Sequence, residues 1–108
     1  MALTDALPGV SLTLSNQPLV ENPAGSGERR TYELTFVNKS AADAFVTSCE
    51  WMQGGVTANP IVPANYKVAV GDGFTLRKVL KPGESIRSLA SAANAIHVTV
   101  DQVYAEPV

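Results

Sequence analysis

The feature that most constrains this chain is a period-two alternation of apolar and polar residues. It comes in short runs, each closed within a few residues by glycine, proline, asparagine or serine. Successive side chains of a strand point to opposite faces, so such runs describe strands with one buried face. Turn signals at such short intervals leave no room for helices of ordinary length. The expected fold is all-β, an antiparallel β-sandwich or small barrel of about seven to eight short strands.

Val10, Leu12 and Leu14 alternate with Ser11 and Thr13 in the first expected strand, which ends at Ser15-Asn16-Gln17-Pro18. Residues 22–30, with Pro23, Gly25 and Gly27 among small polar neighbours, read as a flexible loop or a long hairpin tip. Thr31–Val37 places Tyr32, Leu34 and Phe36 inward, and Phe45-Val46-Thr47 reads as its return strand in a hairpin. That second strand continues toward Trp51, whose indole donor needs a partner if it is buried. Gly54-Gly55 and Asn59–Pro63 interrupt regular structure as a connection or an edge. Tyr66–Val70 and Phe74–Val79 flank Gly71-Asp72-Gly73, a composition suited to a three-residue hairpin turn. Pro82-Gly83 takes the central positions of a type II turn before a strand at Ser85–Ser88. After a small-residue loop at 90–95, Ile96–Val100 alternates again, and Val103 and Tyr104 extend it past Asp101-Gln102 through a bulge.

With 108 residues the chain fits one domain, 1–108, with 1–9 as an N-terminal arm. Charged residues make up 17% of it and the net charge is -2, which offers no electrostatic footprint for nucleic acid or for an anionic membrane. Cys49 is alone, so no intramolecular disulfide forms, and a buried inert thiol is the expectation. The first residues show neither a basic run nor an apolar core of signal-peptide length, and no stretch of about 18 apolar residues occurs.

Catalytic chemistry has little to work with. His97 is the single histidine and alternates away from Ile96, Val98 and Val100, toward solvent or an interface. One His and one Cys supply neither a zinc site nor a nucleophile with a positioned base and acid. Gly71-Asp72-Gly73 lacks the further acids of a calcium loop and the lysine of a phosphate loop. The acids are scattered over separate elements. Tyr32, Trp51, Tyr66 and Tyr104 would be the grip of a carbohydrate-binding module, but Tyr32 and Tyr66 fall on apolar strand faces. The expectation is a non-enzymatic protein without metal or cofactor.

Two stretches carry a family resemblance. Leu80–Val100 resembles the C-terminal part of small β-sandwich structural proteins of tailed bacteriophage virions: a leucine and a proline-glycine-acid turn, a strand, a small-residue loop and a closing alternating strand. Tyr32–Val46 looks like the hairpin of the same proteins, a strand ending in asparagine with a small-residue turn behind it, and together the two cover about a third of the chain. The resemblance implies a virion part assembled in the host cytoplasm, foremost a capsid decoration (cement) protein. Its partners would be the major capsid protein or other virion subunits, and it would itself be a homo-oligomer, dimer or trimer. A neck or tail accessory and a carbohydrate or cell-surface binding module are the alternatives. Partner contacts are expected from non-strand segments free to order on binding. These are the N-terminal arm with Ala2, Leu3, Thr4 and Leu7, the loop end with Arg29 and Arg30, and the 54–63 connection with Asn59 and Ile61.

Overall fold

Apolar alternation in many short runs is resolved by stacking two sheets. The computed structural model describes residues 5, 6, 9–54 and 56–108. Ten strands run in chain order as β1 (Asp5–Ala6), β2 (Val10–Ser11), β3 (Gln17–Glu21), β4 (Glu28–Asn38), β5 (Ala44–Gln53), β6 (Thr57–Pro60), β7 (Tyr66–Val68), β8 (Gly73–Leu80), β9 (Ser85–Ala90) and β10 (Ile96–Pro107). Sheet I has the order β1-β10-β4-β8, with β2 also on β10, and sheet II has the order β3-β9-β5-β6, with β7 also on β5. All pairings are antiparallel. Because β1 and β2 share one flank and β6 and β7 another, ten strands fill eight positions, and the fold is an antiparallel β-sandwich.

The core follows the alternation. Tyr32, Leu34 and Phe36 of β4, Ile86 and Ala90 of β9, and Ile96, Val98 and Val100 of β10 are all buried between the sheets. Phe36 stacks on its cross-strand neighbour Phe74 with ring centroids 4.6 Å apart. The turn at Lys81–Glu84 forms with Gly83 at φ 87° and the Glu84 amide donating to Lys81 O at 3.0 Å, a type II geometry. The register of β10 against β4 shifts between Gln102 and Tyr104, which places the bulge where the sequence put it.

Five expectations fail, the two hairpins for one shared reason. Both predicted hairpins are absent: β4 and β7 turn not into a neighbouring strand but into the opposite sheet, as β5 and β8. Alternation encodes which face is buried but not which strand lies alongside, and Gly-Asp-Gly or Asn-Lys-Ser serves an arch between sheets as well as a hairpin. The Val10–Leu14 strand also stops early. Leu12 is buried while Leu14 is 63% exposed. There the chain leaves β10 for β9: the Leu12 amide donates to Ile96 O at 2.8 Å, and Thr13 O accepts from the Ala90 amide at 2.9 Å. Finally, residues 28–30 belong to β4 rather than to a loop, and Asp5–Ala6 of the predicted arm pairs with Asp101 and Gln102.

Two buried asparagines hold these crossings. Asn22 Nδ2 donates to Glu28 O and to Leu80 O at 2.8 Å each, while its Oδ1 accepts from the Ser26 hydroxyl at 2.6 Å. Asn38 repeats the device, with Nδ2 donating to Ala42 O and Val68 O at 2.9 Å each and Oδ1 accepting from the Ser40 hydroxyl at 2.7 Å. Each amide bonds two backbone carbonyls that are distant in the chain or on either side of a crossing, and in each case one of the two, Leu80 O or Val68 O, comes from a remote strand.

Candidate functional site

The densest side-chain chemistry is at His97, on the outer face of sheet I. Antiparallel pairing of β2 with β10 sets Ser11 opposite His97. Ser11 Oγ lies 3.2 Å from His97 Nδ1, and Lys39 Nζ donates to the same Oγ at 2.7 Å. With lysine occupying the oxygen as donor, the hydroxyl proton is free to point at Nδ1. Gly9 lies against the other ring nitrogen: a Cβ added there would stand 2.5 Å from Nε2. The sequence reading anticipated neither the serine nor the lysine. Among the described residues no carboxylate orients the imidazole, so a hydroxyl and a base are present there without the third group that a nucleophilic triad uses. Among the described residues no cluster of three or more His, Cys, Asp or Glu could hold a metal ion.

Cys49 is buried, and burial pushes its thiol up to about 12, so it stays protonated and unreactive at neutral pH. Trp51 does not receive the partner the sequence called for. Its Nε1 is buried without an acceptor, and its ring is covered instead by Lys78 Nζ at 3.7 Å.

The residues singled out for partner contact do not gather. Ala2, Leu3, Thr4 and Leu7 lie outside the described residues. Arg29 and Arg30 stand at the start of β4, already paired with Glu106 at 3.5 Å and Glu28 at 2.9 Å. Asn59 and Ile61 are in or beside sheet II: Asn59 Nδ2 donates to Gln53 Oε1 at 3.0 Å, and Ile61 packs on the core with its amide on Cys49 O at 3.0 Å. Both support the fold rather than project from it.

What remains is surface. On the outer face of sheet I, Thr75, Thr35 and Thr99 stand side by side across three strands, with a 3.2 Å contact between the Thr35 and Thr75 hydroxyls. Arg77 Nε donates to Glu33 Oε2 at 2.8 Å in the adjoining row, and the exposed Val79 and Tyr104 flank Thr31 in the next. The outer face of sheet II has a shallow cavity of about 300 Å³ lined by Asn16, Gln17, Pro18, Met52, Ser85 and Arg87. Two of its polar groups are engaged elsewhere, Gln17 with Thr13 N and Ser11 O and Arg87 with Glu50.

The sheet edges differ from one another, and sequence reasoning missed them. β3 carries Pro18 and a register shift, β6 is four residues long and ends in Pro60, and β1, β2 and β7 have two or three residues each. β8 is eight regular residues paired only with β4. From Phe74 to Val79 no backbone group is bonded outside that pairing among the described residues.

No family model, curated protein or solved structure matches this chain.

Proposed function

We propose that this chain is a non-enzymatic structural subunit of a bacteriophage virion, a decoration protein that binds the outer surface of assembled major capsid subunits as a homo-oligomer. The observation that carries the reading is the distribution of its exposed apolar residues. Val37, Val79 and Tyr104 lie on an open sheet face, and Tyr66 and Val70 beside an open edge, rather than in a cleft that would enclose a small molecule. Surfaces of that kind suit association with other folded proteins. The family resemblance of Leu80–Val100 and Tyr32–Val46 supplies the virion setting; in the fold these stretches are the turn, β9, loop and β10, and the crossing from β4 into β5. Such a protein folds in the host cytoplasm and adds stability to the shell because it binds the assembled state alone.

A carbohydrate-binding role would be favoured by aromatics grouped on one face. Tyr32 is buried, Trp51 lies under Lys78, and Tyr66 and Tyr104 stand on different sheets, so no such platform exists among the described residues.

The test is co-sedimentation of the purified protein with assembled, protein-free capsids at moderate salt. Saturation at a fixed ratio to capsid subunits is the expected result. Protein that stays in the supernatant at every concentration sinks the decoration reading and directs the search to neck and tail parts.

A further inference from the structure

An edge strand is a row of unpaired amides and carbonyls, and proteins blunt such rows with proline, bulges, short length or charge. Among the described residues, every flank of this sandwich except one is blunted by proline, a register shift or short length, and that one, β8, carries charge alone, in Arg77 and Lys78. The geometry points to the exception, β8, as a self-association site, where two copies pair their β8 strands antiparallel about a two-fold axis at Thr75, joining two five-stranded sheets into one. This deepens the reading of the chain as a homo-oligomer and needs nothing from the capsid.

The register follows from faces and charges. Partners in an antiparallel pair must share a face, so a two-fold axis falls on a residue of the strand. An axis at Arg77 would set two guanidinium groups directly opposite each other. An axis at Thr75 sets Arg77 opposite the small Gly73 of the second copy, Phe74 opposite Leu76, and Lys78 opposite Asp72. Lys78 forms no ion pair among the described residues, and the Asp72 side chain is occupied only by the Gly73 amide at 2.9 Å. On the outer face the same axis extends the threonine row, Thr99-Thr35-Thr75, into its symmetry copy. Exposed apolar groups border the edge: Val79 within it, Val70 in the turn before it, and Tyr66 against the Phe74 ring at 5.0 Å. A contact of this kind is isologous and closes as a dimer.

Three preparations of the full chain test this. Light scattering over a concentration series to about 0.5 mM, the range a small interface demands, gives a dimer for the unaltered protein; a monomer throughout overturns the proposal. Thr75→Lys places two ammonium groups face to face on an exposed position and weakens dimerisation by about tenfold or more, with far-UV circular dichroism confirming the sheet. A dimer of undiminished affinity overturns it. Thr75→Cys brings two thiols into disulfide range across the axis and forms a covalent dimer on mild oxidation, whereas Thr99→Cys, two strands inward in the same row, does not. The native thiol does not compete, because Cys49 is buried. Failure of Thr75→Cys to cross-link in a dimeric preparation overturns the axis and the proposal. A Thr75→Lys monomer that still sediments with capsids leaves the decoration reading standing, and a dimer that ignores capsids leaves the edge pairing standing.

Discussion

The β3 and β8 edges bound opposite flanks of the sandwich and are built on opposite plans. β3 interrupts its own ladder with Pro18 and a register shift, and turns both Leu19 and Val20 into the core. β8 keeps a regular ladder, and of its inward residues Phe74, Leu76 and Lys78 are only half-buried, while Leu80 at its end is fully buried. Its guards are two charges, Arg77 on the outer face and Lys78, which points inward from the edge to where Trp51 receives it. The difference teaches that closing an edge and filling the core beneath it are achieved together. Where the edge stays regular, the packing below stays partial.

The largest effect expected is at the one residue that ties both flanks. Asn22 follows the last residue of β3, and its amide also holds Leu80 O at the end of β8. Replacing it by alanine removes three hydrogen bonds, to Glu28 O, Leu80 O and the Ser26 hydroxyl, at roughly 1 kcal/mol for each. Asn22→Ala should therefore lose about 3 kcal/mol in chemical denaturation with an unchanged m-value. A loss under about 1 kcal/mol would show that water replaces the amide and that the flanks are not joined there.

A matched pair of truncations sharpens the contrast. Leu19 is 8% exposed beneath the closed edge, and Leu76 is half-buried beneath the open one. Leu19→Ala should cost about 3 kcal/mol, in the range of core leucine deletions, and Leu76→Ala about half of that, because the site is already partly open to solvent. Equal costs would mean that the core under β8 is as complete as the core under β3.

Which parts of this contrast were legible beforehand divides along a physical line. The inward sets Tyr32-Leu34-Phe36 and Ile96-Val98-Val100, the Pro82-Gly83 turn and the bulge before Tyr104 are local: each depends on side-chain period or on the φ preference of one or two residues. Strand partnership is not local. The chain changes sheets after β2, β3, β4, β7, β8 and β9, so the Gly71–Gly73 and Asn38–Ser40 segments read as hairpin turns although they bridge the layers. Asn22 and Asn38 look like ordinary turn residues in sequence, yet both are buried, and one of the two carbonyls that each bonds comes from a strand distant in the chain. An open edge is likewise a property of what a strand lacks beside it. That is why Arg29, Arg30, Asn59 and Ile61 were singled out while β8 was not, and why the lysine and serine around His97 went unseen.

Lys78 offers a smaller test of the inward guard. Lys78→Met keeps the length of the side chain and removes the charge over Trp51, so stability should fall by about 0.5 to 1 kcal/mol. The emission of Trp51, the chain's single tryptophan, should change as the ammonium leaves its ring. Unchanged emission would show that Lys78 does not rest on the indole in solution.

The smallest effect concerns the turn that delivers the chain to β8. Asp43 Oδ1 accepts the Val70 amide at 3.0 Å, and Lys67 Nζ stands 3.3 Å from Oδ2. The Val70 hydrogen bond, followed by Lys67, holds the Asp43 carboxyl below its ordinary 3.8. A lowered carboxyl favours the folded state with its charge on. The contribution is whole above pH 3.8, the unfolded value, and is lost as the pH falls through the lower folded value. Acid should thus release the Val70 amide from Asp43 and loosen the entry to the open edge without touching β3. In an amide titration followed by NMR, the Val70 signal should move with a midpoint below 3.8, and Asp43→Asn should abolish that step. A midpoint at or above the ordinary value would mean that the carboxylate is not engaged by this turn, and that the β8 edge is held in place by its pairing with β4 alone.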